Sequence, residues 1–333
     1  MTAVVQDAYG EAEDVLRLER IARPEPGPGE VLVRVHAAGV DQGAWHLMVG
    51  LPYLVRLAGY GVRAPRTRVR GREVAGRVEA VGPGVTSLRP GEEVFGIAEG
   101  CFAEYACGRA GTLAPAPRAL TPVQAAAVPI SGLTALQAVR DHGRVRRGQK
   151  VLVIGASGGV GTFAVQIAKA FGAEVTGVCS TAKLDLVRSL GADHVVDHTR
   201  ADITDSTGGD RRYDVVLDIG GNRPLRRLRR VLTPRGTLVI IGGENGGRWL
   251  GGNDRQLRAL VLSPFVGQRL TAFVSPESAD DLVVLAGLVE RGAVTPVVDR
   301  TFPLGETPAA IRYLRDGRAR GKVVVDVRST DGP

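Results

Sequence analysis

Cysteine is scarce in this chain: among 333 residues it occurs only as Cys101, Cys107 and Cys179. Three cysteines cannot form a disulfide framework, and no pair has the CxxC spacing of a zinc or redox motif. Uninterrupted apolar runs fall short of the roughly 20 residues that a membrane-spanning helix needs. The acidic residues early in the chain argue against a signal peptide. We therefore expect reduced thiols, a cytoplasmic location and no membrane partner.

Lysine and aromatic residues are also few, although the formal net charge is +8. Lysine occurs at four positions, and scattered arginines supply the rest of the 43 basic residues. An aromatic content of 5% leaves few rings on which nucleic-acid bases could stack. The most basic stretch, residues 223–232, carries Leu225, Leu228 and Leu232 at helical spacing, which places its arginines on a solvated face. We expect no nucleic-acid partner.

The length of the chain predicts about two domains. Residues 1–122 contain short β segments that are separated by turns, a pattern typical of a small barrel or sandwich. The clearest predicted strands in this part are residues 30–37, 76–82, 94–96 and 103–106.

The pattern changes after Pro122 to a helical segment over 123–141, followed by alternating strands and helices. Such alternation predicts a parallel sheet with helices on both faces, an α/β domain over residues 123–265. The predicted strands are 151–154, 174–178, 195–196, 213–219 and 237–241, and the predicted helices are 160–171, 183–190 and 225–232. Residues 266–333 form a third segment, with predicted strands at 270–274, 294–299 and 322–327 and predicted helices at 280–290 and 308–315.

A glycine-rich turn joins the first of these strands to the first helix. The dinucleotide-binding pattern GxGxxG is matched by Ala156, Gly158 and Gly161, with alanine at its first position. In a strand–turn–helix context such a turn brings backbone N–H groups and the positive helix end to a pyrophosphate. We predict that Ser157, Gly158, Gly159 and Val160 hold the pyrophosphate.

The end of the second strand indicates which dinucleotide is bound. An NAD enzyme usually has an acidic residue here, which accepts hydrogen bonds from the ribose hydroxyls. This chain has Ser180, Thr181 and Lys183 instead, which suit a 2′-phosphate and favour NADP over NAD. Two alternatives remain, namely that Ser180 only caps the following helix and that Lys183 is a surface charge. His198, after the third strand, is a candidate to flank the adenine or the phosphate.

Several short motifs recur in a fixed order along nearly the whole chain. In this order they resemble the medium-chain dehydrogenase/reductase superfamily, in its zinc-independent, quinone-oxidoreductase-like branch. The resemblance implies a GroES-like catalytic domain, an inserted Rossmann domain and a C-terminal return to the first domain. The motifs are residues 37–40, 71–76, 89–96, 132–135, 156–161, 190–193 and 321–324.

The resemblance also tests for zinc. Zinc-dependent relatives place cysteine and histidine ligands where this chain has Asp41 and Arg72, and catalytic zinc needs three protein ligands. The structural zinc lobe needs four clustered cysteines, whereas only Cys101 and Cys107 occur in that region. We expect no metal ion.

The resemblance places the proton-donating side chains of the first domain near residues 41–53. Tyr53 is the best candidate for the catalytic proton donor, followed by His46 and Asp41, and each has packing as its alternative role. Relatives commonly read Asn-Pro-x-Asp where this chain has Asp41-Gln42-Gly43-Ala44. This change puts the usual substrate class in doubt. Residues 50–70 are either a substrate lid or an ordered loop.

The remaining cofactor residues are also implied by the resemblance. Thr134 and the segment Phe273-Val274-Ser275 would lie beside the nicotinamide, and Gly242 and Lys322 complete the predicted cofactor set. In relatives the strand at 270–274 pairs with its two-fold copy, which predicts a homodimer through the Rossmann sheet edge. An inner strand that is paired on both sides is the alternative.

These features predict an NADPH-dependent oxidoreductase that transfers hydride to an activated C=C bond or a quinone. An alcohol or ketone oxidoreductase, or a specialised biosynthetic reductase with the same cofactor, is the alternative reading. A non-catalytic NADPH-binding protein is the third.

Overall fold

The structure is a computed structural model that describes residues 1–201, 203, 212–221, 223–243 and 247–328. The chain divides into two compact units. The first unit comprises residues 1–133, 276–292 and 296–333, and the second comprises residues 134–275 and 293–295. No helix within the described residues is long and apolar enough to cross a membrane.

Strands and helices are numbered here in chain order. The strands are β1 (Thr2–Val5), β2 (Arg17–Arg20), β3 (Glu30–Val40), β4 (Glu73–Val81), β5 (Glu93–Ile97), β6 (Tyr105–Arg109), β7 (Leu113–Pro115), β8 (Lys150–Ile154), β9 (Glu174–Cys179), β10 (His194–Asp197), β11 (Tyr213–Asp218), β12 (Leu232–Ile240), β13 (Arg269–Ala272), β14 (Val298–Pro303) and β15 (Lys322–Asp326). The helices are α1 (Ala12–Val15), α2 (Gln42–Val49), α3 (Tyr53–Val55), α4 (Pro122–Ala126), α5 (Pro129–Gln137), α6 (Gly159–Ala170), α7 (Leu184–Ser189), α8 (Leu225–Arg230), α9 (Asn253–Leu262), α10 (Ala279–Glu290) and α11 (Thr307–Arg315).

The first unit is built on a seven-stranded β sheet. Its strand order is β14-β15-β3-β4-β5-β7, and β6 also pairs with β3. The long strand β3 pairs antiparallel with β4, β6 and β15, so the C-terminal strand is hydrogen-bonded to the N-terminal part of the chain. Val33, Phe102 and Val323 are buried in the core beneath this sheet. Residues 298–326 therefore complete the first unit.

The second unit is a six-stranded parallel sheet with the order β10-β9-β8-β11-β12-β13. The chain runs outward from β8 through β9 to β10, then returns to β11 and runs outward on the other side. The order therefore reverses between β8 and β11, which is where open α/β sheets bind ligands. Leu152, Val216 and Leu238 come from adjacent strands and are fully buried, as apolar strands covered on both faces should be.

The parallel sheet was predicted from the alternating pattern, but several boundaries differ. The expected helix over 123–141 is divided into α4, α5 and a π-helical turn, Ala138–His142. The expected strand at 294–299 lies instead at β14, where it pairs with β15. The two units also meet later in the chain than predicted: the first unit continues to residue 133 rather than 122, and the chain returns to it at residue 276 rather than 266. The later return follows from β13, which pairs with β12 and so extends the second unit's sheet.

Residues 50–70, expected as a lid or an ordered loop, contain the short helix α3 followed by a π-helical turn, Arg56–Tyr60. The tail residues 329–333 lie outside the described part of the chain.

Candidate functional site

The predicted cofactor residues of the second unit gather at one edge of its parallel sheet. All six strands point the same way, so the segments that follow their carboxyl ends lie along the same edge. Thr134 lies instead on helix α5. The residues at the edge are Ser157, Gly158, Gly159 and Val160 after β8, Ser180, Thr181 and Lys183 after β9, His198 after β10, Gly242 after β12, and Phe273, Val274 and Ser275 after β13.

The glycine-rich turn after β8 has the geometry of an anion-binding helix start. Gly155 has φ +86°, a conformation that side chains disfavour. A Cβ on Gly161 would lie 2.1 Å from the Gly155 carbonyl oxygen, so only glycine permits this contact between turn and helix. Gly158 is the extended N-cap of α6, and no side chain caps the helix. The first N–H groups of α6 are thus left for a ligand, which fits a dinucleotide pyrophosphate.

The segment after β9 carries the residues predicted to hold a 2′-phosphate. Ser180 is the N-cap of the short 3₁₀ turn Thr181–Lys183, but its side chain makes no capping hydrogen bond. The alternative of Ser180 as a capping hydroxyl is therefore not supported. Lys183 is half-buried. Burial raises the pKa of the Cys179 thiol to about 11, and the positive charge of Lys183 acts in the opposite direction.

Thr181 differs from its predicted role. Its hydroxyl donates a hydrogen bond to the Asp197 carboxylate at the end of β10 and lies 3.0 Å from the Thr199 Oγ1. These hydroxyl groups lower the pKa of Asp197 to about 2. Because Thr181 already serves Asp197, a phosphate at this edge would rely on Ser180 and Lys183. His198 is exposed at the same place, and its backbone N–H donates to the Cys179 carbonyl at 3.1 Å.

A buried ion pair that sequence reasoning missed joins the segments after β11 and β12. Asp218 ends β11 and is fully buried, and its carboxylate accepts a hydrogen bond from Arg255 on α9. The same guanidinium donates to the carbonyls of Arg223 and Gly242, each at 2.9 Å. Burial raises the pKa of Asp218, and the Arg255 charge opposes that shift. Arg255 thereby fixes Gly242, a predicted cofactor residue, to the end of the neighbouring strand.

The segment after β13 contacts the helix that carries Thr134 and the π-helical turn that follows this helix. The Phe273 ring stacks on His142 with a centroid distance of 4.0 Å and an interplanar angle of 14°. The Ser275 hydroxyl donates to the Gln137 Oε1 at 2.6 Å, and Gln137 ends α5. Val274 between them is 92% exposed. The structure therefore ties the predicted nicotinamide segment to α5 within the second unit.

The three catalytic candidates lie in and after helix α2 of the first unit. Asp41 is the N-cap of α2, where its Oδ1 accepts from the Ala44 N–H at 2.8 Å. The other oxygen, Oδ2, is buried and has no hydrogen-bond partner among the described residues. The His46 Nδ1 lies 2.8 Å from the Leu51 carbonyl oxygen. Tyr53 is the first residue of α3, and the centre of its ring lies 5.0 Å from the Arg56 guanidinium.

Lys322 was predicted as a cofactor residue, and its surroundings do not support that role. It is 2% exposed, and its ammonium group donates to the carboxylate of Glu73, which is fully buried. The other oxygen of Glu73 accepts from the Ile130 N–H at 2.9 Å. Burial raises the pKa of Glu73 to about 7, although the Lys322 charge acts in the opposite direction. Lys322 thus neutralises a buried carboxylate inside the first unit.

The residues at the zinc-ligand positions of relatives make other contacts. Arg72 forms an ion pair with Glu277, and Asp41 caps α2. Across the described residues, no group of three or more His, Cys, Asp or Glu side chains is arranged to hold a metal ion. Cys101 has a free thiol in the core, and burial raises its pKa.

Comparison with known proteins gives two family models that match parts of the chain and relatives that match nearly all of it. The family model for the GroES-like domain of alcohol dehydrogenases matches residues 27–118, and the model named zinc-binding dehydrogenase matches residues 190–325. The mouse mitochondrial NAD(P)H oxidoreductase RTN4IP1 is 34% identical over 98% of this chain and 89% of its own length.

Solved structures show the same architecture. A quinone oxidoreductase from Coxiella burnetii superposes with a TM-score of 0.83 at 26% identity, covering 98% of this chain and 99% of its own. A mycobacterial protein solved in complex with NADPH superposes with a TM-score of 0.82 at 28% identity, covering 98% and 100% of the two chains. The expected GroES-like and Rossmann folds are thereby confirmed. On these matches the chain belongs to the medium-chain dehydrogenase/reductase superfamily of oxidoreductases, in its quinone-oxidoreductase-like branch.

Proposed function

We propose that this protein is an NADPH-dependent reductase of activated double bonds, acting on an enone, an enal or a quinone. The observation that carries the proposal is the carboxyl edge of the parallel sheet. At this edge the N-terminus of α6 follows a glycine-rich turn and has no capping side chain. The neighbouring strand β9 is followed by Ser180 and Lys183, in the place where NAD enzymes have an acidic residue. The Coxiella relative is named a quinone oxidoreductase, which supports the substrate class.

The cofactor is a nicotinamide dinucleotide, and we propose NADP(H) rather than NAD(H). Gly158, Gly159 and Val160 would hold the pyrophosphate through the helix start, with Ser157 in the preceding turn. Ser180 and Lys183 would contact the 2′-phosphate, because a hydroxyl and an ammonium group donate to it without like-charge repulsion. The mycobacterial structure with bound NADPH supports this choice. When bound, this cofactor supplies a hydride.

The side chains of the first unit would then supply the proton. Reduction of an enone adds hydride to the β-carbon and a proton to the α-carbon, while negative charge develops on the carbonyl oxygen. We propose that the Tyr53 hydroxyl, with His46 as the second donor, protonates that oxygen to give an enol. Tautomerisation of the enol through water then moves the proton from the oxygen to the α-carbon. Asp41 already caps the helix that carries His46, so its role is to position that helix.

A panel of substrates tests this proposal against its alternatives. We expect enones, an enal or a quinone to drive NADPH consumption, followed by the fall in nicotinamide absorbance, and saturated ketones to do so far more slowly. Faster turnover of simple ketones or alcohols would favour the alcohol or ketone oxidoreductase. Binding of NADPH with no turnover of any class would favour a non-catalytic NADPH-binding protein.

We further propose that the enzyme works without a metal ion, as a homodimer, on a small-molecule substrate and in the cytoplasm. The positions of Asp41 and Arg72 support the first point, because neither is placed with enough other donors to hold zinc. Exhaustive chelation should accordingly leave the NADPH-dependent rate unchanged, and stoichiometric zinc in the purified protein would contradict this proposal.

A further inference from the structure

Arg70 in the first unit is a buried cation with little to neutralise it. Arg70 is only 5% exposed to solvent. One terminal nitrogen donates to the Thr67 carbonyl, while Nε is buried and donates to none of the described residues. Buried arginines are normally paired with an anion, because an isolated buried charge is costly. Arg70 therefore has donor capacity that the described part of the chain does not use.

Its neighbours in sequence show the contrast. Arg68 pairs with Asp7 and Glu19, and Arg72 pairs with Glu277. Across the described residues, no carboxylate forms an ion pair with Arg70. Burial lowers the pKa of the Arg70 guanidinium, and electrostatic interactions with Tyr9, Glu99 and Tyr60 act in the opposite direction.

Arg70 also lines a cavity. The cavity has a volume of about 30 Å³, and its walls include Leu47 of α2, Tyr60 and Arg72. It shares five lining residues with a larger cavity of about 590 Å³, namely Thr67, Val69, Arg72, Glu99 and Gly100. The larger volume suits a small organic ligand, and the smaller one suits a group little larger than a water molecule.

The charges on the shared wall favour an anion beside Arg70. Arg72 is the second guanidinium there, and Glu277 already balances it. Glu99 is the carboxylate on this wall, but its residue is exposed to solvent and it makes no ion pair with Arg70. A planar carboxylate matches both the small cavity and the donor geometry of a guanidinium, whereas a tetrahedral phosphate is larger.

We infer that the substrate of this enzyme carries a carboxylate, which binds at Arg70 in the small cavity, beside the helix α2 that carries His46. This inference rests on the proposed reductase function for the reaction and on the Arg70 site for the substrate class.

A matched substrate pair tests the inference. β-Acetylacrylate and its methyl ester contain the same C=C bond, which carries a carboxylate in one and an ester in the other. The ester withdraws electrons more strongly, so a preference for the acid reports binding rather than intrinsic reactivity. We expect kcat/KM for the acid to exceed that for the ester by about tenfold or more, mainly through KM. Arg70→Met should lower kcat/KM for the acid about tenfold to hundredfold and leave the ester nearly unchanged. Arg66→Met, at an exposed arginine of the same segment, is the control and should change neither.

Binding measurements separate this inference from the proposed function. Levulinate, the reduced acid, should bind the full chain in calorimetry more tightly than methyl levulinate, and Arg70→Lys should retain more of that difference than Arg70→Met. If no substrate is reduced, the proposed function fails, while the levulinate comparison still decides the inference. If Arg70→Met does not fold, the wild-type comparison and Arg70→Lys decide it.

Three results would overturn the inference. These are equal use of acid and ester, equal loss for both in Arg70→Met, or stronger displacement of levulinate by inorganic phosphate than by acetate. The last would show that the site prefers phosphate to carboxylate.

Discussion

Lys183 and Ser180 are the residues that we propose select NADPH over NADH. Lys183→Ala should weaken NADPH binding and leave NADH binding almost unchanged, because only NADPH carries the 2′-phosphate. One charge-assisted hydrogen bond is worth about 1.5–3 kcal/mol, which corresponds to roughly a tenfold to hundredfold loss of affinity. Calorimetric titration of both cofactors measures it, with the exposed Lys150→Ala as the control. An equal loss for both cofactors would refute the assignment.

The buried pair of Glu73 and Lys322 makes a second prediction at this scale. Glu73→Gln leaves a buried ammonium without its anion and should lower the free energy of unfolding by about 3–5 kcal/mol. The double variant Glu73→Gln, Lys322→Met removes both charges and should recover most of that loss. Urea unfolding of the single and double variants tests the pair. Additive losses would show that the two side chains are not energetically coupled.

The residue scale also shows where sequence reasoning stops. Gly158 and Gly161 were found because a strand, glycines and a helix follow one another locally. Arg255 and Arg70 were missed because a chain with so many scattered arginines gives no sign of which ones are buried. Lys322 was assigned from its motif alone, whereas its partner Glu73 lies 249 residues away in sequence.

Among the elements, the parallel strands were the most predictable because each is an apolar run bounded by turns. Helix α2 was not predicted from the sequence. Residues 41–53 were interpreted as a source of proton donors, and Asp41 was not recognised as the N-cap of a helix. Strand β14 was placed too early, because its pairing with β15 depends on a distant segment rather than on local pattern.

At the scale of elements, a prediction concerns Arg255, which links the ends of β11 and β12. Arg255→Met should free the Gly242 carbonyl and leave Asp218 buried without its cation. We expect faster hydrogen exchange at residues 218–221 and 242–243 and weaker NADPH binding, because these segments lie at the cofactor edge. In both hydrogen exchange and NADPH binding, Arg255→Lys should lie between Arg255→Met and the wild type. Unchanged exchange at both segments would show that the guanidinium does not hold them.

At the scale of the whole molecule, β13 forms one edge of the second unit's sheet. The Leu270 N–H donates to the Ser263 hydroxyl and so points away from β12. Backbone groups two residues apart on a strand point the same way, so the Ala272 N–H also faces the open edge. Val261 and Phe265, just before β13, are 70% and 81% exposed. An open strand edge beside exposed apolar side chains favours pairing with a second copy.

Ala272→Pro removes that edge donor and should convert the proposed homodimer to a monomer, with weaker NADPH binding as a consequence. Ala272→Val keeps the N–H and should stay dimeric. Sedimentation at micromolar concentration measures both variants against the wild type. A wild-type protein that sediments as a monomer and still binds NADPH well would contradict the dimer and its link to the cofactor.

The proposed reaction is tested most directly by identifying which bond of an unsaturated ketone is reduced, the C=C bond or the C=O bond. The protein is incubated with NADPH and either β-acetylacrylate or its methyl ester, and the products are identified by proton NMR. We predict that the vinyl protons disappear while the methyl ketone remains, with one NADPH consumed per C=C bond reduced. Retention of the vinyl protons with conversion of the ketone to an alcohol would contradict the proposed double-bond reductase.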